Sequence, residues 1–372
     1  MFTNPRAKSW TYKHDVNTSL AQKFHRSLPD FEATPLVAID EVAHELGVHK
    51  VFVKDESNRL GLTSFKILGA SWGVFRAIAA RGNLPLDSSL EDVSRAAQAL
   101  NISLFSATAG NHGRAVARMA KLLQIPATIF VPKTTDDATQ QRIAGEGAEV
   151  LVVQGDYDAA VAQAWHRSHQ TEGGLLVQDN AFDGYEEIPA WIIEGYSGLM
   201  QEVEQQLAEQ GLTATIMVTA IGVGSLGHAV VAHCKSRGRG IAVLAVEPEN
   251  AACLHQSLRD QKMTTVQTSR TIMDGMNAGT VSPISWETLR AGVDASITVS
   301  DIESHQAVQY LQTCEVNAGP CGAATLAAIR KAAQTEPAAM GLDESSIVVL
   351  LSTEGARPYP LPPSQHIQQA GR

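Results

Sequence analysis

The chain has 372 residues, of which 44% are hydrophobic and 18% are charged, and its formal net charge is −10. This length can bury a large core, and the composition is that of a globular rather than a disordered protein. The acidic balance, without any Lys/Arg block, disfavours nucleic acid as a partner, and no apolar run reaches the length of a membrane span. Since the first residues contain no apolar stretch of the secretory kind, we expect a cytoplasmic protein without membrane contact.

Short apolar runs alternate along the chain with amphipathic stretches, which is typical of parallel strands joined by crossover helices. The predicted strands are 51–54, 104–107, 127–131, 150–154, 175–178, 215–220, 242–247 and 347–352. The predicted helices are 65–80, 113–124, 138–145, 159–172, 191–210, 226–237, 300–318 and 322–333. Segment 82–97 is predicted to be a polar surface connection, and the tail from Arg357 is predicted to be loose. This order predicts an α/β fold with two sheets.

Lysine 66 stands in the tripeptide S-F-K at the start of a predicted helix. A helix N-terminus disfavours an ammonium group, and apolar surroundings lower the pKa of a lysine further. Both effects favour the neutral amine that forms Schiff bases with carbonyl compounds. The position of Lys66 alone is equally typical of a solvated surface lysine, so its neighbours decide the interpretation.

Two segments rich in small residues follow predicted strands. The first is S-A-T-A-G-N-H-G at 106–113, whose small residues can fold tightly and hold a carboxylate at the start of the next helix. Asn111 in this segment could form a hydrogen bond to an oxygen on a planar ring. An ordinary turn with a capping Asn111 is the alternative.

The second, G-V-G-S-L-G at 222–227, matches G-x-G-x-x-G, and Glu247 follows Gly227 by 20 positions. It favours a phosphate site of pyridoxal 5′-phosphate over a dinucleotide site, because the dinucleotide would leave Lys66 and Asn111 without a role. An NAD(P)-dependent oxidoreductase stays the less favoured alternative.

Polar residues also close two predicted strands. Asp179 ends the strand in V-Q-D-N-A-F-D-G-Y, where functional residues of α/β sheets collect, so it is a candidate general acid or base. An Asx turn at Asp179 is the alternative, and Asp183 is expected in a surface turn. Ser352 and Thr353 in L-S-T-E-G end the last strand, and such a neutral hydroxyl would not force a facing pyridine nitrogen to be protonated.

The cysteines disfavour a metal or disulfide role. They form no C-x-x-C pair, and the histidines show no H-E-x-x-H spacing. We therefore expect no metal site and mostly buried, reduced thiols. The four cysteines are Cys234, Cys253, Cys314 and Cys321.

In this order, these segments resemble the fold-type II pyridoxal-phosphate enzymes, the tryptophan synthase β-like superfamily. The resemblance covers nearly the full chain and includes A-T-P-L at 33–36, V-K-D-E-S-N-R-L-G-L-T-S-F-K-I-L-G-A at 53–70 and I-M-D-G-M-N-A-G-T at 272–280. Within the superfamily the chain is most similar to the diaminopropionate ammonia-lyases, through K-D-E-S-N-R, G-N-H-G-R, G-Y-S-G-L-M-Q-E and S-T-E-G.

The resemblance implies a role for each candidate residue. Lys66 would bind the cofactor covalently, Asn111 would hold its phenolic oxygen, and Ser352, or less favourably Thr353, would face the pyridine nitrogen. Asp179 would be the second catalytic residue beside Lys66. The backbone N–H groups of five residues would bind the phosphate: Gly222, Val223, Gly224, Ser225 and Leu226. The substrate carboxylate would be held in the loop containing Thr108, Gly110 and His112.

The resemblance also implies an architecture and an activity. Residues 1–85 plus 183–372 would form a large pyridoxal-phosphate-binding domain, and residues 86–182 a small domain with the Asn111 loop. Both would be three-layer α/β domains with the cofactor between them, in a homodimer. The reaction would be β-elimination from a small amino acid such as diaminopropionate, serine or threonine, giving a 2-oxo acid and ammonia. The alternatives are a β-replacement synthase and a relative that has lost activity.

Two positions depart from the family pattern. The ammonia-lyases usually have T-D-G-N-H where this chain has Ala109 before the glycine. The family often has E-S-G-A near the late helix, where this chain has P-C-G-A beginning at Pro320. The sequence therefore predicts a pocket with two fewer acids, which suits a less cationic substrate side chain.

Overall fold

A computed structural model describes residues 1–13, 18–236, 238–336 and 340–363. Its strands are β1 (Phe2–Thr3), β2 (Leu36–Ala38), β3 (Lys50–Asp55), β4 (Ser103–Ala107), β5 (Ala127–Pro132), β6 (Glu149–Val153), β7 (Gly174–Leu176), β8 (Ile216–Ala220), β9 (Ala242–Pro248), β10 (Ala295–Val299) and β11 (Ile347–Ser352). Its α-helices are α1 (Thr18–Ser27), α2 (Asp40–Leu46), α3 (Lys66–Gly82), α4 (Leu90–Ala99), α5 (Asn111–Leu123), α6 (Asp137–Ala144), α7 (Tyr157–Gln170), α8 (Glu187–Gly195), α9 (Ser197–Ala208), α10 (Ser225–Lys235), α11 (Cys253–Asp260), α12 (Pro283–Gly292), α13 (Asp301–Thr313) and α14 (Pro320–Thr335). Short 3₁₀ turns lie at Pro5–Ser9, Glu249–Ala251 and Asp274–Met276.

The strands form two separate sheets. The larger has the order β1-β10-β9-β8-β11-β3-β2, parallel except for the edge strands β1 and β2. The smaller has the order β6-β5-β4-β7 and is parallel throughout. This arrangement confirms the predicted α/β fold with two sheets.

Helices cover both faces of the larger sheet, which explains its continuous apolar strands. Every residue of β8 and β11 is buried. Side chains alternate along β11: Val349 and Leu351 enter one apolar cluster, and Val348 and Leu350 enter the other. Helix α14 packs on β8 and β11, while α3 contacts both α8 and α5, the helix that follows the first strand of the smaller sheet.

Three sequence predictions were wrong in detail. The predicted connection at 82–97 contains α4, whose first turn is stabilised by a capping box between Ser89 and Asp92. The predicted helix 191–210 is two helices that meet at Tyr196, where Gly195 lies so close to α3 that a Cβ would be 2.5 Å from the carbonyl oxygen of Leu68. Strand β10 was missed altogether, and most of the predicted loose tail lies outside the described residues.

The domain boundaries at 85/86 and 182/183 stay a prediction. What supports them is that all four strands of the smaller sheet lie between residues 103 and 176. In the described part of the chain, no helix is both long and apolar enough to cross a bilayer.

Candidate active site

The carboxyl ends of neighbouring parallel strands gather the candidate residues. In the larger sheet, β8, β11 and β3 are adjacent, and they lead to the Gly222 loop, to Ser352 and to Lys66. In the smaller sheet, β4 and β7 are adjacent and lead to Asn111 and Asp179. Sites of α/β proteins form at such strand ends, and hydrogen bonds join the two groups here.

Lys66 and Asp179 form the central contact of this site. The Lys66 Nζ donates to Asp179 Oδ2 at 2.5 Å, and the side chains are 19% and 7% exposed. Burial lowers the pKa of Lys66, but the facing carboxylate outweighs burial and raises the net pKa above 10.5. Burial likewise raises the pKa of Asp179, and the Lys66 charge outweighs it, so the net pKa falls well below 3.8.

The expected neutral amine of Lys66 is therefore wrong for the protein in this state. The prediction weighed the helix start and the burial, which are local effects. It did not take into account the carboxylate of Asp179, which lies 113 residues further along the chain and holds the amine as an ammonium.

Backbone hydrogen bonds hold the start of α3 against the end of β11. The Phe65 N–H donates to the Thr353 carbonyl at 3.3 Å, and the Gly355 N–H donates to the Thr63 carbonyl at 2.9 Å. Lys66 thus begins a helix whose preceding residues are attached to the end of β11, an interior strand of the larger sheet. The backbone of Thr353 therefore anchors α3. The prediction that its hydroxyl faces the pyridine nitrogen stays untested.

His112 contacts the same carboxylate from the other side. Its Nε2 lies 3.0 Å from the Val177 carbonyl, which can only accept, so Nε2 carries the hydrogen. The Nδ1 atom has no hydrogen-bond partner among the described residues and lies 3.9 Å from Asp179 Oδ2. Burial lowers the pKa of His112, which keeps the ring neutral at pH 7. In the same loop, Thr108 Oγ1 accepts the Gly110 N–H at 2.8 Å.

The two glycines of the loop before α10 leave no room for a Cβ. A Cβ on Gly222 would lie 2.8 Å from the Gly275 carbonyl oxygen, and Gly224 has a φ of +96°. Helix α10 starts directly after Gly224 without a side-chain cap, so its first N–H groups point to an open helix end. The Ser225 hydroxyl donates to the Asp179 carbonyl at 2.7 Å, which attaches this loop to the central contact.

Ser352 has a buried hydroxyl that lacks a partner in the described chain. Gly322 on α14 makes space for it, because a Cβ there would be 2.6 Å from Ser352 Oγ. A buried, unpaired hydroxyl costs free energy unless something accepts or donates to it. A ring nitrogen in front of Ser352 would satisfy this atom.

Sequence reasoning missed two residues of the site. Glu354 accepts a hydrogen bond from Asn111 Nδ2 at 3.0 Å and another from the Cys321 N–H at 3.3 Å. A carboxylate therefore lies at the start of α14 after all, although Pro320 removes the family's acid there. The signal was available in S-T-E-G, where the glutamate follows the two hydroxyl residues.

Tyr196 is the second missed residue. Its ring packs on Phe65 with centroids 4.9 Å apart, and its buried hydroxyl has no partner within the described ranges. Burial raises the pKa of Tyr196, so the phenol is neutral at pH 7. Gly69 allows this approach, because a Cβ there would be 2.5 Å from the Tyr196 ring.

Glu247, the acid that a dinucleotide site would need, has a structural role. Its two oxygens accept the N–H groups of Leu254 at 2.7 Å and His255 at 2.6 Å, in the first turn of α11. The residue is fully buried. An acid used in this way is not free to bind a ribose, which argues against the NAD(P) alternative.

These features fit pyridoxal phosphate. The open helix end and the crowded glycines suit a phosphate held by backbone N–H groups, the unpaired Ser352 hydroxyl suits a ring nitrogen, and Lys66 supplies the amine. The cofactor roles of the individual residues stay predictions.

Comparison with known proteins gives the same result for the fold and the cofactor class. Residues 28–353 match the family described as pyridoxal-phosphate dependent enzyme. Diaminopropionate ammonia-lyase of Escherichia coli (strain K12) is 30% identical over 90% of this chain and 87% of its own length. The human serine dehydratase-like protein is 32% identical over 61% of this chain and 66% of its own length.

A solved structure matches over almost the whole chain. It is the crystal structure of diaminopropionate ammonia-lyase from Escherichia coli in complex with an aminoacrylate–PLP azomethine reaction intermediate. The TM-score is 0.83 at 29% sequence identity, and the match covers 95% of this chain and 91% of that chain.

Proposed function

Because this chain belongs to the pyridoxal-phosphate dependent enzyme family, we propose that it catalyses β-elimination from a small amino acid such as diaminopropionate, serine or threonine. The products would be a 2-oxo acid and ammonia. The observation that carries the proposal is the buried contact between Lys66 and Asp179, which pairs a Schiff-base lysine with an acid–base group. Relatives whose names describe ammonia-lyases and dehydratases support the same reaction class.

The chain's own residues would divide the binding of the cofactor. Lys66 would attach it, the N–H groups of residues 222–226 would bind its phosphate, and Asn111 and Ser352 would bind the ring substituent and ring nitrogen. When bound, pyridoxal phosphate supplies the electron sink that stabilises negative charge at the substrate Cα. The loop with Thr108, Gly110 and His112 would hold the substrate carboxylate.

Lys66 and Asp179 would carry the proton transfers. Either the Lys66 amine or the Asp179 carboxylate would take the Cα proton of the substrate. As long as Lys66 is an ammonium, its charge keeps Asp179 ionised. When that charge is lost, the largest influence that lowers the pKa of Asp179 is gone and burial favours the protonated acid, so Asp179 could keep the proton taken from Cα and pass it to the leaving β-substituent.

The nature of the substrate side chain depends on the acids near it. Ala109, the position of the ammonia-lyases' aspartate, is exposed and offers no carboxylate. We therefore propose that an uncharged β-substituent, as in serine or threonine, is favoured over the amine of diaminopropionate. Glu354 does not compensate at the β-position, because its oxygens receive donors from Asn111 and Cys321.

The test is turnover of defined substrates. We expect one ammonia per 2-oxo acid from L-serine or L-threonine, or two per 2-oxo acid from diaminopropionate, with turnover of at least one of the three and none by the Lys66→Ala variant. Release of ammonia without 2-oxo acid, or no turnover of any of them, would contradict the proposal. Adding a thiol separates the β-replacement alternative, which would yield a new amino acid in place of the 2-oxo acid.

We also propose a cytoplasmic homodimer, since two-fold dimers are the commonest oligomers. Sedimentation would give the subunit number, and cell fractionation would give the location. A monomer with full activity, or activity confined to the membrane or secreted fraction, would contradict this part of the proposal.

A further inference from the structure

One hydrogen bond joins the two sheets beside the site. Asn111 opens α5 after the smaller sheet's strand β4, and Glu354 follows β11, an interior strand of the larger sheet. The Asn111 Nδ2 donates to Glu354 Oε2 at 3.0 Å. The side-chain amide of an asparagine can be rotated by 180°, but an accepting oxygen opposite it selects the nitrogen. Glu354 therefore decides which end of the Asn111 amide faces it.

The second oxygen of Glu354 has one hydrogen-bond donor and one charged neighbour. Oε1 accepts the Cys321 N–H at 3.3 Å and lies 3.5 Å from the Arg357 Nε. Glu354 is only 4% exposed, and a Cβ on Gly319 would lie 3.0 Å from Oε1. The carboxylate thus has one oxygen that accepts from Asn111 and one that lies between the Cys321 N–H and the Arg357 guanidinium.

Arg357 is itself anchored. Its Nη2 donates to the Ile272 carbonyl at 2.5 Å, and its Nη1 lies 3.2 Å from Asp274 Oδ2. These contacts attach the chain after β11 to the 3₁₀ turn at Asp274–Met276, which borders the glycine loop through Gly275 and Gly222. The guanidinium that faces Glu354 is therefore not free to move away.

The Asn111 amide nitrogen has two hydrogens, and Glu354 uses one of them. We propose that Glu354, held by Arg357, is a positioning residue that keeps the Asn111 amide oriented as a hydrogen-bond donor toward the phenolic oxygen of pyridoxal phosphate. This inference rests on the proposed function, because it requires that cofactor. With the amide rotated, Asn111 would present a carbonyl oxygen to an oxygen, which is repulsive.

The Glu354→Gln variant tests the orientation with almost no change of shape. The Cys321 N–H and Arg357 are both donors, so they select the oxygen of the new amide. Its nitrogen must then face Asn111, which favours the rotated Asn111 amide. Two readouts are measured: the position of the visible absorption band, and the dissociation constant of pyridoxal phosphate titrated into the stripped protein.

We expect Glu354→Gln to weaken binding roughly 10-fold, the loss of about one hydrogen bond, and to shift the band in the same direction as Asn111→Ala. The double variant should be no weaker than Asn111→Ala alone, because Glu354 acts only through Asn111. Arg357→Lys, at a partly exposed position, should give a smaller shift of the same sign.

Glu146→Gln is the matched control. Glu146 is a buried carboxylate that accepts from Arg114 and Arg118 of the same helix α5, and it does not contact Asn111. The Glu146→Gln variant should have the absorption band and the cofactor affinity of the wild type. Wild-type values in Glu354→Gln, or additive losses in the double variant, would overturn the inference while leaving the proposed function intact. A wild type that forms no band with pyridoxal phosphate would overturn both.

Discussion

Removing the carboxylate of Asp179 should destabilise the cofactor-free protein in a pH-dependent way. The Asp179→Asn change keeps the shape of the side chain but leaves the Lys66 amine without its counter-charge at 2.5 Å. The main influence that raises the pKa of Lys66 is then gone, and burial, which lowers the pKa of a lysine, is the largest one left beside the smaller opposite effects of Tyr196 and Cys321. The folded variant would therefore hold a neutral amine, while the unfolded chain still binds the proton with the ordinary pKa of 10.5.

The size of the pH-dependent cost follows from that difference. Keeping the amine neutral costs at most about 1.36 kcal/mol for each pH unit below 10.5, which is about 3.4 kcal/mol at pH 8 and about 1.4 kcal/mol at pH 9.5. In the wild type the pKa of Lys66 is raised above 10.5 and that of Asp179 is lowered below 3.8, so neither group titrates in this window. The stability gap between wild type and variant should thus narrow by up to about 2 kcal/mol between these two pH values.

Urea denaturation of both proteins, stripped of pyridoxal phosphate, measures the gap at each pH. Asp183→Asn, an exposed aspartate in the same segment, is the control and should match the wild type at both values. A gap that is the same at pH 8 and pH 9.5, or an Asp179→Asn variant as stable as the control, would refute the reasoning about the buried pair.

Three further changes test the loop, the ring contact and the substrate class. Gly224→Ala should lose about 1–3 kcal/mol of stability and most of the cofactor affinity, because φ is +96° and the new Cβ would lie 2.8 Å from Leu289 Cδ1. Its control is Gly211→Ala, at a positive φ but in open space, which should keep the cofactor affinity of the wild type. Ser352→Ala should raise the stability of the stripped protein by up to about 1–3 kcal/mol, since it removes a buried hydroxyl that has no partner in the described chain, yet it should weaken cofactor binding in the same titration. Ala109→Asp should raise turnover of diaminopropionate relative to L-serine, and Ala109→Asn should not; equal ratios would argue against a substrate role for this position.

Much of the site could be predicted because its residues follow strands. Asp179 and the Gly222 loop closely follow apolar runs, Lys66 begins the helix after β3, and parallel strands bring such positions to the same side of a sheet. Local sequence is enough to recognise that arrangement. Helix α4 escaped the same reasoning because only Val93 and Ala97 of its residues are buried, so its apolar stripe is thin and its capping box is the stronger signal.

The charge of Lys66 and the role of Glu354 could not be predicted, because both depend on contacts between the two sheets. The helix start and the burial around Lys66 point to a neutral amine, and only the tertiary contact between the first residue of α3 and the segment after β7 brings Asp179 to it. Glu354 stands two positions after Ser352, but its partner Asn111 is 243 residues away along the chain. Sequence patterns within one element contain no information on such pairs.

The visible absorption spectrum tests the central claim, that Lys66 carries pyridoxal phosphate, most directly. Wild type, Lys66→Ala and Lys121→Ala, an exposed lysine on α5, would be incubated with the cofactor and freed of excess by desalting. We predict a yellow band that persists in the wild type and in Lys121→Ala and is absent from Lys66→Ala. A band of equal intensity in Lys66→Ala, or no band in the wild type, would contradict the assignment of Lys66.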